Sequence, residues 1–205
     1  MLTAFTAGLL LITVSELGDK TFFIAVILSM RHSRRLVFAG VTAALAAMTI
    51  LSVLFGQVAS LLPKELVYYA EIVLFLGFGL KLLYDASKMR AKGECDEAQE
   101  ALEAVKDAEL KMPQQESSLA ILLKAFVMTF VAEWGDRTQF ATISLAAGYN
   151  AIGVTTGAIL GHAICAAIAV MGGRLIAERI SERTMTALGG FLFLVFAIVS
   201  WLEGV

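Results

Sequence analysis

The sequence predicts an all-α polytopic membrane protein, with six transmembrane helices arranged as two inverted three-helix repeats. Three observations predict this: a composition too apolar for water, six long apolar segments, and one charged motif that occurs twice. Of the 205 residues, 59% are hydrophobic and 17% charged, and the mean hydropathy is +0.80, outside the range of a soluble domain. At roughly 20 apolar residues per crossing there is room for about six or seven helices and for no soluble catalytic domain beside them. A net charge of -2 with scattered basic residues excludes nucleic acid as a partner and leaves the lipid bilayer.

The first span, near 2–30, has no Lys or Arg before Lys20 and no cleavage site, so it is read as a span and not as a signal peptide. Its length fits a tilted helix or one interrupted at its charged middle. The second, near 36–62, is free of charge; the third, near 66–84, carries Glu71 near its start and Lys81 near its end, where the side chain can snorkel. A polar stretch from 87 to 118 follows, with eight acidic and five basic residues. Its middle, DEAQEALEAVKDAELK, is rich in helix formers and reads as a short solvated surface helix or tether ending before Pro113. The fourth span, near 119–148, is long like the first; the fifth, near 150–173, holds His162 and Cys165; the sixth, near 184–202, has no ionisable group. The expected organisation is therefore a first repeat over 1–86, an acidic linker over 87–118 and a second repeat over 119–205.

Basic residues cluster on alternate connections: Arg31, Arg34 and Arg35; Lys88, Arg90 and Lys92; Arg174, Arg179 and Arg183. The positive-inside rule then puts both termini outside and the linker in the cytoplasm. Cys95, in the linker, and Cys165 have no metal-ligand spacing and leave the redox compartment open.

The charged motif is Glu16-Leu17-Gly18-Asp19-Lys20-Thr21, and its second copy is Glu133-Trp134-Gly135-Asp136-Arg137-Thr138. The copies are 117 residues apart, and the same shift carries Gly40 onto Gly157 and Gly56 onto Gly173. Each unit has an odd number of spans, so the second enters the membrane from the opposite side, as in secondary transporters whose site lies where the repeats meet. Acids three apart share a helix face. The glycine between them weakens the helix, and the threonine adds a hydroxyl. Facing one another, the copies make an oxygen-rich cage of Glu16, Asp19, Glu133 and Asp136.

Each buried carboxylate costs about 2.5–3.5 kcal/mol on insertion scales. Pairing with Lys20 and Arg137, a divalent cation, or protons would offset that cost. Metal and protons that exclude one another on the same carboxylates are the basis of exchange. Oxygen donors suit Ca²⁺, Mn²⁺ and Mg²⁺. His162 is the one nitrogen donor in the spans, and because its equivalent in the first repeat is Leu45 it reads as a packing or hydrogen-bonding residue. Gln139, whose equivalent is Phe22, makes the cage asymmetric. The glycines at 153, 157 and 161 form a close-packing stripe for helices of the same chain, a homodimer face being the alternative.

Two such signatures in a six-span chain with a charged central loop resemble the GDT-type cation/proton exchangers, uncharacterised protein family sixteen, of the lysine-exporter superfamily. The resemblance covers nearly the whole chain. It implies transport of Mn²⁺ and Ca²⁺ coupled to protons, with compact bacterial members acting mainly as manganese exporters, and it implies Glu16, Asp19, Glu133 and Asp136 as the ion ligands. Without the N-terminal extension of eukaryotic members, the chain resembles those of a bacterial inner membrane. The expected function is an alternating-access antiporter that is not an enzyme: it holds no permanent cofactor, takes Mn²⁺ or Ca²⁺ as substrate and uses protons as counter-ion. The alternatives are a divalent cation channel and, further off, an intramembrane metal-dependent hydrolase, for which the spans offer no H-E-x-x-H pair. The topology predicts that Cys95 reacts with a membrane-impermeant maleimide only after cells are permeabilised; labelling of intact cells would reverse the orientation.

Overall fold

A computed structural model describes residues 1–89, 96–111, 117–177 and 182–204, and among these every regular element is an α-helix. In chain order they are α1 (Leu2–Glu16), α2 (Lys20–Arg31), α3 (Arg34–Ala59), α4 (Lys64–Lys88), α5 (Asp96–Lys111), α6 (Ser118–Ala132), α7 (Arg137–Gly148), α8 (Ala151–Ala177) and α9 (Glu182–Glu203). Four of them, α3, α4, α8 and α9, are long and apolar enough to cross a bilayer. A fifth crossing is available if α6 and α7, which meet at 75°, count as one broken span. The first expected span is likewise divided: α1 has 15 residues, about 22 Å at 1.5 Å per residue and short of a bilayer core. The structure thus describes four unbroken spans and two chain segments broken at their charged motifs, the interrupted form being one of the two readings that the length of the first and fourth expected spans allowed.

Small residues decide how these helices pack. α1 lies on α8 and α6 lies on α3, so each motif-bearing arm rests on the long helix of the other half. A Cβ on Gly153 would come within 2.7 Å of the Met1 carbonyl oxygen, one on Gly161 within 2.9 Å of Thr13 Oγ1, and one on Gly157 would overlap the Phe5 carbonyl. Gly40 of α3 makes the matching approach, 2.5 Å from the Leu122 carbonyl of α6. Gly40 and Gly157, and likewise Phe5 and Leu122, differ by the same 117 positions. The glycine stripe of α8 is therefore occupied within the chain. α4 and α9 form a second pair, with Phe75 wedged against Phe193 and Phe196 at centroid distances of 5.9 Å. Gly79 closes the same contact on Gly190 and Leu194. This pair rests against α1 through α9 and against α7 through α4. Its outer face exposes Leu66, Tyr69, Val73, Leu76, Leu80 and Phe191, apolar surface that in a bilayer meets lipid at no solvation cost.

The acidic linker differs from a solvated tether. Its helix, α5, packs on α2 because Ala98, Ala101 and Val105 recur at helical spacing. Ala101 and Val105 are fully buried in the core around Phe22, Ile24 and Leu28. The acids take the other faces, and one of them, Glu100, pairs with Lys20 at 3.1 Å.

The α1–α8 seam predicts that Gly157→Val, which inserts atoms where the Phe5 backbone lies, lowers stability by about 1–3 kcal/mol or more. A fall in the melting temperature of the purified protein checks this; an unchanged one would mean the seam has slack.

Candidate metal centre

Both motifs break their helices in the same way. Gly18 and Gly135 each have φ of 82°, a left-handed conformation that costs a residue with a Cβ about 1–2 kcal/mol. Around each, the amide of the following aspartate donates to the glutamate carbonyl at 3.2 Å, Asp19 to Glu16 and Asp136 to Glu133. A Cβ on Gly135 would meet nothing within 4 Å, so backbone conformation, not space, requires glycine there. The acids therefore do not share one helix face, as the three-residue spacing suggests. Glu16 ends α1 and Asp19 immediately precedes α2 without capping it through its side chain; Glu133 follows α6 and Asp136 caps α7.

The breaks bring three of the four acids together. One carboxylate oxygen each from Glu16, Asp19 and Glu133 lies within 4.8 Å of the others, a spacing that a single cation can bridge. Glu16 and Glu133 are each 2% exposed. Their environments mirror one another: Thr21 Oγ1 donates to Glu16 Oε2 at 3.1 Å, and Thr138 Oγ1 donates to Glu133 Oε2 at 3.2 Å. In both residues Oε1 is buried and has no hydrogen-bond partner among the described residues. Two orphaned carboxylate oxygens in so small a volume are costly unless something positive binds between them.

The aspartates are where the mirror fails. Arg137 reaches across from the second motif and donates to Asp19 Oδ1 at 2.6 Å, and its guanidinium also approaches the Ser15 carbonyl at 3.5 Å. Asp136, half-buried, instead caps α7, accepting from the Thr138 amide at 3.2 Å and from its hydroxyl at 3.1 Å. Lys20, the counterpart of Arg137, is a third exposed and turns outward to Glu100. Within the cluster, three carboxylates and one guanidinium leave two formal negative charges, which one divalent cation or two protons would cancel.

Around the acids stand side chains that sequence reasoning placed less well. His162 of α8 is buried, with Nδ1 3.7 Å from Glu16 Oε1, so it stands against the cluster and not in remote packing. Gln139 takes the Gly135 amide on Oε1 at 2.8 Å and donates through Nε2 to Met48 Sδ at 3.1 Å. Met48 was not anticipated, although a signal existed: the 117-residue shift carries it onto Cys165, whose thiol donates to the Thr13 carbonyl at 3.3 Å. A narrow recess beside the cluster is lined by Ser15, Leu17, Gly18, Arg137 and, from α5, Glu97.

Comparisons with known proteins identify the family. The family model described as "Divalent cation/proton antiporter GDT1" matches residues 4–90 and 121–205, both motifs included and most of the linker left out. The chain is similar to GDT1-like protein sll0615 of Synechocystis, 60% identical with 98% of each chain covered. It is also similar to GDT1-like protein 3 of Oryza sativa subsp. indica, 45% identical over 97% of this chain and 73% of that one. GDT1-like protein 3 of Arabidopsis thaliana is 43% identical over 93% of this chain and 68% of that one. No solved structure matches.

The shared left-handed break predicts that Gly135→Ala costs about 1–2 kcal/mol and that Gly18→Ala, at a buried position, costs at least as much. Thermal unfolding of the two variants measures it; an unperturbed Gly135→Ala would show that the turn tolerates another backbone path.

Proposed function

This chain belongs to the GDT1 family of divalent cation/proton antiporters, and on that premise we propose that it exchanges Mn²⁺, with Ca²⁺ as the alternative substrate, for protons and exports manganese from the cytoplasm. The observation that carries this reading is the convergence of one carboxylate oxygen each from Glu16, Asp19 and Glu133, within 4.8 Å of one another, the two glutamates each having an Oε1 with no hydrogen-bond partner among the described residues. These three carboxylates are the proposed ion ligands. Asp136, Thr21 and Thr138 serve as hydrogen-bonding supports that hold the ligands in place, and Gln139 braces the second turn.

Oxygen donors favour hard divalent ions over copper. Buried carboxylates bind metal when deprotonated, so a proton on Glu16 or Glu133 removes a ligand and a metal ion keeps protons off. Raising the pH therefore strengthens metal binding, and acidification releases the ion. The cross-half pair Arg137–Asp19 holds the two motifs together in this conformation, while the equivalent Lys20 is held on α5 by Glu100. Rocking of one half against the other, with these two cations trading their roles, would open the site to each side in turn. We place the chain in the bacterial inner membrane, with termini outside and α5 on the cytoplasmic face. Membership in an antiporter family points to transport and away from the hydrolase alternative.

In proteoliposomes, Glu16→Gln and Glu133→Gln are each expected to reduce Mn²⁺-driven proton flux to the level of empty vesicles; wild-type flux in either would refute the ligand assignment. Titration calorimetry of the wild-type protein is expected to show Mn²⁺ binding about tenfold or more tighter at pH 8 than at pH 6, with protons released. Affinity independent of pH would remove the competition on which exchange depends.

A further inference from the structure

One buried acid takes no part in the cluster. Glu71, two turns into α4, is 6% exposed, and Ser200 of α9 donates to its Oε1 at 2.9 Å. It borders a cavity of about 380 Å³, lined also by Ser60, Lys64, Tyr68, Tyr149 and Ser200. At roughly 30 Å³ per molecule, that volume holds on the order of ten waters. Gly148, the last residue of α7, is at the same cavity, and a Cβ there would come within 3.0 Å of Glu71 Oε2.

The cavity and the cluster lie at opposite ends of α7. Thr138 opens that helix at the cluster and Gly148 closes it at the cavity, a separation of about 15 Å at 1.5 Å per residue. Between the two ends α3 packs along α7. Met48 meets Gln139 near the cluster, and Gln57 donates to the Ala146 carbonyl at 2.7 Å near the cavity. In the intervening stretch the two helices bury the hydroxyls of Thr49, Ser52 and Thr142, each of which donates at 2.8 Å to a carbonyl one turn back on its own helix, those of Leu45, Met48 and Thr138. Every residue that lines the cavity comes from the α3–α4 corner, the start of α4, the α7–α8 corner or the end of α9. These are the ends on the side of the chain termini.

We propose that Glu71 is a proton station on the terminus side of the exchanger, a deduction that rests on the proton-coupled reading above. Its carboxylate takes a proton from cavity water. It passes that proton toward the cluster when the cation leaves, and returns to the carboxylate. A divalent cation is the poorer occupant: among the described residues the cavity offers one carboxylate and has Lys64 in its wall, whereas the cluster offers three carboxylates. The other charged or titratable groups that line the cavity among the described residues are Lys64 and Tyr68 of α4 and Tyr149 of the α7–α8 corner, with Ser60 after α3 and Ser200 of α9. The rival account is a hydrogen-bonded clamp between α4 and α9 with no role in proton movement.

Glu71→Gln separates the two, because an amide still accepts from Ser200 but cannot titrate. In Mn²⁺-loaded proteoliposomes this variant is expected to lose pH-gradient-driven Mn²⁺ flux by about tenfold or more, while Mn²⁺/Mn²⁺ counterflow, which moves no net proton, stays at the wild-type rate. Ser200→Ala, which removes the clamp and keeps the acid, is expected to retain the pH-driven flux. Undiminished pH-driven flux in Glu71→Gln, loss of counterflow along with it, or an equal loss in Ser200→Ala would each overturn the proposal and leave the antiport reading standing. A wild-type protein with counterflow but no pH-driven flux would overturn both.

Discussion

The constraint on which the rest of this fold depends is a pair of buried glutamates, one from each motif, each with one oxygen that has no hydrogen-bond partner among the described residues. Burying Glu16 and Glu133 so completely is costly in any protein and more so in one surrounded by lipid. The chain offsets part of that cost with a threonine hydroxyl on each Oε2 and with Arg137 on the neighbouring Asp19. It stops short of full neutralisation. Two formal negative charges are left over, and that uncompensated charge is what the proposed transport site requires and an internally paired structural network would lack.

Holding the glutamates there requires that the helices stop at the right depth. The two left-handed glycines do this, turning each arm so that a glutamate ends one helix and an aspartate immediately precedes the next. Breaking a helix inside a membrane leaves backbone groups unsatisfied unless they face protein or a polar cavity. Here the freed groups are used locally: the Gly135 amide goes to Gln139, and Asp136 accepts from the Thr138 amide. The arms are then seated by glycines of α3 and α8, each the long helix of the opposite half. The break and the seams form one device, since an arm that could not approach its groove closely would carry its glutamate away from the partner.

The two motifs match closely at the glutamates and threonines and poorly at the basic side chains. Thr21 and Thr138 match, as do the two turns and the two glycine seams. Arg137 and Lys20 do not: one crosses to the other half and the other is held by α5. A conformation open to one side only has to treat the two motifs differently, and the unequal placement of Arg137 and Lys20 is a difference of that kind. The linker helix takes part in that asymmetry, its buried Ala101 and Val105 joining it to α2 and Glu97 bordering the recess beside Arg137.

From the residues alone one can read the membrane setting, the all-helical class, the doubled motif with its 117-residue shift, the close-packing glycines of α8, and the four acids as a candidate site. All of these rest on composition, identity and spacing, which are local properties of a chain. Tertiary structure alone decided the rest. Length and the motif glycines left a tilted span and an interrupted one both open, and only the backbone at Gly18 and Gly135, with φ of 82° at each, decided for the break. Which acids converge depends on where two distant arms are seated, and that seating brings Glu16, Asp19 and Glu133 within 4.8 Å of one another while Asp136 adjoins Glu133 through the hydroxyl of Thr138. His162 and Met48 lie 146 and 91 residues from the motif side chains they approach, and α5 docks through three small apolar residues whose signal is submerged among eight acids. Contacts of that kind follow from packing, which no single stretch of sequence encodes.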